Sequence, residues 1–446
     1  MARRWARTPR LLSRTLVFFL TLAYVVLSHL SLEAQLPDLV GYRFMLWLGV
    51  AAGALALPSS WLWSGSGMWK VPQTYVMIGL IAAVPLSRIA HMWFGGAWPA
   101  LSEFLVSGIV YFLVAGCTDT LGKFKFVVWA VVGTAVCLLA QAHFDYWTAG
   151  ITSPFVIIQS LPNAFDDSLT QLPRLQSVGV LKDPNDFAQF LLVGLSLLTA
   201  GWRAGHRTRN LLIVLPTGLY LLYGVYLTGS RGALIGLSVI LFLALESRLN
   251  RKLAAAVVVS ALTLAIVLQA AGPRAISLSE SSVGGRVEAW GTGIGLLRDS
   301  PLFGVGYGLF LDHSELTAHN SFVLCFAELG LFGYFLWLSL SVLTVLDLQS
   351  ILARDVVRKK SPDLHHYAKA VRGALLTFLA TSWFLSRTYA VTFYLLLGLG
   401  VVISQLVKSR HGNPVPAVQR SRWVLTGALA LLSIAVAYGT VRLRNF

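Results

Sequence analysis

Long apolar runs recur along the whole chain, separated by short polar or basic stretches. Each run is about 17–22 residues long, enough for a helix to cross a hydrocarbon core about 30 Å thick. The runs show none of the two-residue alternation of barrel strands, and only helices or closed barrels satisfy their backbone in lipid. Helical spans are predicted near 15–32, 39–57, 74–91, 101–117, 126–143, 186–201, 211–228, 232–246, 253–271, 320–346, 372–386, 389–407 and 423–440. The 320–346 span is longer than a bilayer needs, which predicts tilt or a projecting end. The fold class that follows is an all-α polytopic membrane protein with 12–13 transmembrane helices, forming a single integral membrane domain over residues 1–446.

Of the 446 residues, 56% are hydrophobic and 12% charged, and the mean hydropathy is +0.70, far from a soluble domain of this length. The net charge of +16 follows from topology. Arg3, Arg4, Arg7, Arg10 and Arg14 precede the first span and predict a cytoplasmic N-terminus. From that start, Lys123 and Lys125, Arg203, Arg207 and Arg209, Arg248, Arg251 and Lys252, Arg354, Arg358, Lys359 and Lys360, and Arg410, Arg420 and Arg422 all fall inside. Basic charge laid out this way is a membrane signal, and nucleic acid is not expected as a partner. Thirteen spans place Arg442 and Arg444 outside, against the rule, so either the last span is an appendage or the count is off by one.

The first span is long, and Glu33-Ala34-Gln35 is a poor cleavage site, which argues against a cleaved signal peptide. Cys117, Cys137 and Cys325 fall in predicted spans without close spacing and read as small apolar residues, not disulfides or metal ligands. The basic 347–371 loop is expected to lie on anionic headgroups, which makes membrane lipids a partner.

Two extracytoplasmic connections are much longer than the others, and long ordered loops tend to carry function. The first, 144–185, holds Asp166, Asp167 and Arg174 and ends Lys182-Asp183-Pro184-Asn185-Asp186. Asp183-Pro184 reads there as a turn, and Asn185 or Asp186 as a helix cap. The second, 272–319, runs from Gly272-Pro273 through a predicted helix at 286–298, then past Pro301, Gly304, Gly306 and Gly308 to His313 and His319.

His319 stands at the mouth of the 320–346 span, and an imidazole accepts a proton near neutral pH. Asn320 can cap that helix and hold the ring at its lip. An interfacial histidine bonded to backbone would look the same in isolation; beside Arg231 and Arg286 on the same side, general-base chemistry is the preferred reading. Arg231, in Leu227-Thr228-Gly229-Ser230-Arg231-Gly232, sits in so short a connection that its guanidinium stays near headgroup level. There it suits bidentate contact with phosphate, or snorkelling to lipid. Arg286 follows Gly284-Gly285, which let a loop turn tightly, and Trp290 lies one helical turn later. Arg387, in another short outer connection, is a further candidate cation.

Glu328 lies deep in an apolar span, where a charge is costly unless paired. A structural hydrogen bond, at a helix contact made close by Gly330 and Gly333, is preferred over catalysis. No HExxH, CxxC or clustered carboxylates point to a metal, and no GxxxxGK[ST] or strand-linked GxGxxG to a nucleotide. No cofactor is therefore expected, and the energy for any transfer lies in the substrate.

Together, Ser230-Arg231-Gly232-Ala233, Gly285-Arg286 with Trp290, Pro301 through Gly306, and His319-Asn320-Ser321 with Glu328 and Gly330 resemble the O-antigen ligase/polymerase superfamily of bacterial membrane glycosyltransferases. Arg174, Gly179 and Asp183-Pro184-Asn185 also look like the segment before a middle span in exopolysaccharide-type members. The strong motifs cover 174–333; the flanking spans match only as a pattern of helices. The resemblance implies a GT-C-like helical fold and a metal- and nucleotide-independent, inverting enzyme of the bacterial inner membrane, with its site at the periplasmic face. It implies a glycan donor linked to undecaprenyl diphosphate and an acceptor hydroxyl on lipid A-core or another saccharide.

Carried over by motif, His319 is the general base and Arg231 and Arg286 hold the diphosphate. Arg387, Arg174, Lys182 and Asn320 are candidate substrate contacts. An O-antigen ligase acting in lipopolysaccharide biosynthesis is the preferred reading, and an O-antigen or exopolysaccharide polymerase with the same site is the alternative. A transporter of lipid-linked glycan is more distant, since it predicts midplane charges, broken helices and internal symmetry. A thirteenth span exceeds the twelve usual in ligases, and no long C-terminal periplasmic domain of the protein-glycosylating kind is seen.

Overall fold

A computed structural model describes residues 8–36, 41–56, 67–162, 169–246, 248–270, 281–412 and 420–444. Arg3, Arg4, Arg7, Asp166, Asp167, Gly272 and Pro273 lie outside the described residues. Every predicted span falls on a helix: α1 (Thr8–Leu30), α2 (Phe44–Ala56), α3 (Pro72–Ile89), α4 (Phe94–Cys117), α5 (Leu121–Ala149), α6 (Pro184–Leu198), α7 (Leu215–Thr228), α8 (Gly232–Leu245), α9 (Arg251–Ala270), α11 (Ser321–Leu352), α12 (Pro362–Thr381), α13 (Val391–His411) and α14 (Arg420–Arg444). The predicted 286–298 helix is α10 (Ser281–Asp299). Among the described residues, six helices are long and apolar enough to cross a membrane, and three shorter apolar ones accompany them. The protein is an all-α multi-pass membrane protein.

Two segments differ from the hydropathy reading. The 347–371 stretch, expected as a loop, is mostly helical: α11 continues to Leu352, a short helix covers Asp355–Lys360, and α12 begins at Pro362. Asp355 in the first turn of that short helix and Arg358, Lys359 and Lys360 in its last turn complement the helix dipole, which hydropathy does not register. The 144–185 stretch carries an antiparallel hairpin, β1 (Val156–Pro162) with β2 (Leu169–Leu175), in the register Val156 to Leu175 and Ile158 to Pro173. A two-stranded sheet has only edges, so Pro173 sits in it without breaking a ladder.

The chain forms two compact units. One comprises residues 1–130, 286–372 and 386–446. Its axis is α11, packed against α3, α13 and α14, while α4 packs on α3 and α13. The core is aromatic, with Phe104, Phe326, Tyr334, Trp337 and Tyr394 fully buried. The last helix, α14, is fastened to α11 by polar bonds: Arg422 Nη1 donates to Asp347 Oδ1 at 2.5 Å, and the Tyr334 and Ser433 hydroxyls lie 2.6 Å apart. Gln73 Nε2 from α3 donates to the other Asp347 oxygen at 2.6 Å. A carboxylate in an apolar span needs such partners.

The second unit comprises residues 131–285 and 373–385. There α7 and α8 pack on α6, α9 packs on α8, and β2 lies against α7. Gln189 Nε2 of α6 donates to Phe378 O at 3.1 Å and to Thr381 Oγ1 at 2.8 Å, pinning α6 to the end of α12.

Asp347 and Arg422 are both buried. Removing one partner strands the other charge, so Asp347→Ala and Arg422→Ala are each expected to lower stability by about 3–5 kcal/mol, and the paired replacement Asp347→Leu/Arg422→Met to recover most of it. Thermal unfolding of the purified protein in detergent reads the difference.

Candidate active site

His319 is placed by bonds on either side of it. Its own backbone has φ +46°, the left-handed region that non-glycine residues enter rarely, at a strain of about 1–3 kcal/mol. Before it, the buried indole of Trp290 donates Nε1–H to the carbonyl of Ala318 at 2.9 Å. After it, Asn320 caps α11, its Oδ1 accepting from Phe322 N at 2.9 Å and Val323 N at 3.2 Å. Asn320 is fully buried, so the structure uses it for the helix start. The imidazole itself is half-buried.

Trp290 connects two of the sequence-selected residues. Arg286 precedes it by one helical turn on the same face of α10, so the tie to Ala318 couples the helix bearing Arg286 to the residue preceding His319. Arg286 lies within α10, not in a loop, and Gly284 and Gly285 are helical. Helix formation there satisfies the backbone locally, where a glycine turn would have left it open. The Arg387 connection is drawn to the same place. Arg387 N–H donates to Ser321 Oγ at 2.7 Å, Thr388 Oγ1 to Ser321 O at 2.7 Å, and Thr317 Oγ1 to Ser386 Oγ at 2.7 Å.

The Pro301–Phe310 segment explains its own glycines. Helix α11 is broken at Gly330, which has φ +63° and ψ −169°. The segment fills the break: Val305 N donates to Ala327 O (2.9 Å), Gly306 N to Glu328 O (3.0 Å), Leu331 N to Pro301 O (2.8 Å) and Phe332 N to Leu302 O (3.1 Å). The approach is too close for a side chain. A Cβ on Gly304 (φ +68°) would lie 2.4 Å from Glu328 C, and one on Gly330 2.4 Å from Leu302 C. From α3 and just beyond it, Arg88 Nε donates to Tyr307 O at 2.8 Å, Ser87 Oγ accepts from Tyr307 N at 2.9 Å, and His91 Nε2–H donates to Gly304 O at 2.6 Å.

Sequence reasoning missed Ser87, Arg88 and His91. The available signal was two basic residues at the end of the third predicted span, on the side assigned to His319. Burial pushes the Tyr307 phenol up, as do the carboxylates of Glu103 and Glu328, with Arg88 opposing. The phenol therefore stays a neutral hydrogen-bonding group at physiological pH.

In the second unit, Arg231 and Arg174 line one cavity of about 720 Å³ together with Tyr146, Tyr226, Leu172 and Leu237. Arg174 is heavily engaged by protein acceptors: Nε donates to Thr228 O (2.8 Å), Nη1 to Gln159 Oε1 (3.2 Å) and Nη2 to Asn185 Oδ1 (3.0 Å). It thereby joins the hairpin to the end of α7 and the start of α6. The α6 cap is Asp183, not Asn185 or Asp186: its Oδ1 accepts from Asn185 N at 2.7 Å and Asp186 N at 3.4 Å, with Pro184 at the first helical position. Lys182 is exposed and is not among the residues lining the cavity.

The described fold is that of a multi-pass helical membrane protein carrying a strained histidine at a helix mouth. Residues 216–338 match the family model of the O-antigen ligases (Wzy_C), which supports the O-antigen ligase/polymerase superfamily and a ligase- or polymerase-type function for the chain. Arg231, Arg286, Trp290, His319 and Glu328 fall inside the matched residues; Arg174, Lys182 and Arg387 fall outside. No curated protein shows significant similarity to the chain.

Replacing Trp290 by Phe keeps an aromatic ring at the position but removes the indole N–H and leaves the buried Ala318 carbonyl unpaired. A loss of about 1–3 kcal/mol is expected, read as a lowered unfolding midpoint in detergent.

Proposed function

We propose that the protein is an O-antigen ligase-like glycosyltransferase of the bacterial inner membrane. It moves a glycan from undecaprenyl diphosphate to an acceptor hydroxyl on lipid A-core or another saccharide at the periplasmic face. The observation that carries this reading is His319, within the matched family segment, held in a left-handed backbone between the Trp290 tie and the Asn320 cap. Strain maintained by bonds on both sides is characteristic of functional positions.

In this reading His319 removes the proton from the acceptor hydroxyl as its oxygen attacks the anomeric carbon. The bond from that carbon to the diphosphate oxygen breaks, its electron pair leaves with undecaprenyl diphosphate, and attack from the opposite face inverts the centre. Arg231 and Arg286 offset the charge that grows on the diphosphate, as fixed guanidinium groups can in a low-dielectric setting without a metal. Each role is assigned from motif and from the local setting of that residue. The imidazolium then releases its proton to water.

His319→Ala is expected to lower transfer by about 10²–10⁴-fold, the usual contribution of a general base, with the protein still folded. The assay is reconstitution in liposomes with an undecaprenyl diphosphate-linked repeat unit, with and without lipid A-core. Glycan appearing only on added lipid A-core supports a ligase, a ladder of longer lipid-linked glycan makes it a polymerase, and full activity of His319→Ala removes the base assignment. In the same assay Arg231→Lys keeps the charge but not the two-pronged geometry, and turnover is expected to fail. Wild-type turnover of that variant would mean that Arg231 serves only to snorkel.

A further inference from the structure

The Glu328 carboxyl does no work in the mechanism above, yet it is a 3% exposed carboxyl inside an apolar helix. A carboxylate buried there is costly unless bonds compensate it. The hydrogen-bonding groups that face it come from the segments that surround His319, and the Arg88 guanidinium of α3 acts on it as well. Oε1 accepts from Phe310 N at 3.2 Å. The backbone N–H of Gly308 and the hydroxyl of Tyr389 also face the carboxyl group. Tyr389 in turn lies ring to ring with Tyr307, centroids 4.5 Å apart, and stands two residues beyond Arg387.

Phe310 is the junction between this carboxyl and the candidate base. Its ring is 1% exposed. A Cβ placed on Gly293 of α10 would meet Val323 at 2.4 Å, the Phe310 ring at 3.3 Å and Ala327 at 3.8 Å, so α10, Phe310 and the opening turns of α11 close on one point. The carboxyl thus holds the Gly308–Phe310 turn against the half-helix that begins at Ser321, immediately after the histidine and its cap. Four backbone bonds in the Gly330 break set the Pro301–Gly306 end of the same segment. Between Phe310 and Ala318 the chain is held by the Glu328 bond at one end, the Trp290 bond at the other and the Thr317–Ser386 bond just before Ala318.

We propose that Glu328 is a positioning residue for His319: by accepting the Phe310 N–H it fixes the 308–318 segment, and so the placement of the imidazole. This rests on the reading of His319 as the base. A group that only braces the fold would change stability alone; a positioning group changes turnover per folded molecule, because a misplacement of about 1 Å can cost about 10²-fold in rate. A carboxamide oxygen can still accept the Phe310 N–H, whereas a methyl group cannot.

The test compares wild type, Glu328→Ala, Glu328→Gln and Tyr389→Phe as full-length protein in liposomes, by amide hydrogen exchange and by transfer kinetics. Glu328→Ala is expected to speed exchange across 308–318 and to lower kcat by up to about 10²-fold while the donor KM holds. Glu328→Gln is expected to recover part of both, and Tyr389→Phe to loosen the 308–310 turn to a smaller degree. Wild-type exchange at 308–318 in Glu328→Ala, or faster exchange with unchanged kcat, overturns the proposal. If Glu328→Ala does not fold, Glu328→Gln and Tyr389→Phe decide: wild-type exchange and kcat in both overturns it. Should His319→Ala transfer normally, the base assignment falls, while the exchange data still report whether Glu328 holds the segment.

Discussion

A chain inside a bilayer has no water to satisfy loose backbone groups, so a helix can be interrupted there only where protein replaces the lost bonds. Helix α11 is interrupted at Gly330, and the Pro301–Gly306 segment brings the replacement. Much of the first unit's site follows from that exchange. The segment must approach as bare backbone, which demands glycine at 304 and 330. Having been drawn onto α11, it is also within reach of Ser87, Arg88 and His91 at the end of α3. The site is thereby referenced to α11, a helix packed against α3, α13 and α14, instead of hanging from a free loop.

Polar groups in the first unit divide by purpose. Asp347, Arg422 and Gln73 satisfy one another and hold helices together. The bonds around His319 instead maintain a conformation that the residue would not choose alone: Trp290 acts on the residue before it, Asn320 and Ser321 on the residues after it. In the second unit both arginines line the cavity: Arg174 donates to Thr228, Gln159 and Asn185 and ties the hairpin to α6 and α7, and Arg231 stands at the start of α8.

How much of this the sequence shows depends on how local the cause is. Helices are legible because apolar runs of membrane length have few alternatives, and the Asn320 cap because its two bonds lie within three residues. The choice of Asn185 or Asp186 for the α6 cap fails by two or three residues, since Asp183, directly before Pro184, offers the same chemistry ahead of the first helical position. The hairpin is hidden because Pro173 and mixed polar residues interrupt the alternation that marks a strand. The Gly-rich run at 301–308 is visible as a motif but not as a patch for a broken helix, because its partner bonds lie more than twenty residues away. Glu328 is legible as a buried polar contact, though its partner proves to be a loop amide and not a neighbouring helix.

The Trp290–Ala318 bond closes a circuit of chain: α10 leaves from one end, the Gly330 patch lies midway, and the path returns to its start. Both ends are buried, but Leu311, Asp312, His313, Glu315 and Leu316 on the return path are exposed. Chain length and identity are therefore unequal currencies around the circuit. Near the tie and the patch, a single inserted residue would shift a buried bond out of register. Along 311–316 the chain can change in sequence without touching any of them. The same thirty residues thus combine a frame held by buried bonds with an exposed rim that those bonds leave free to vary.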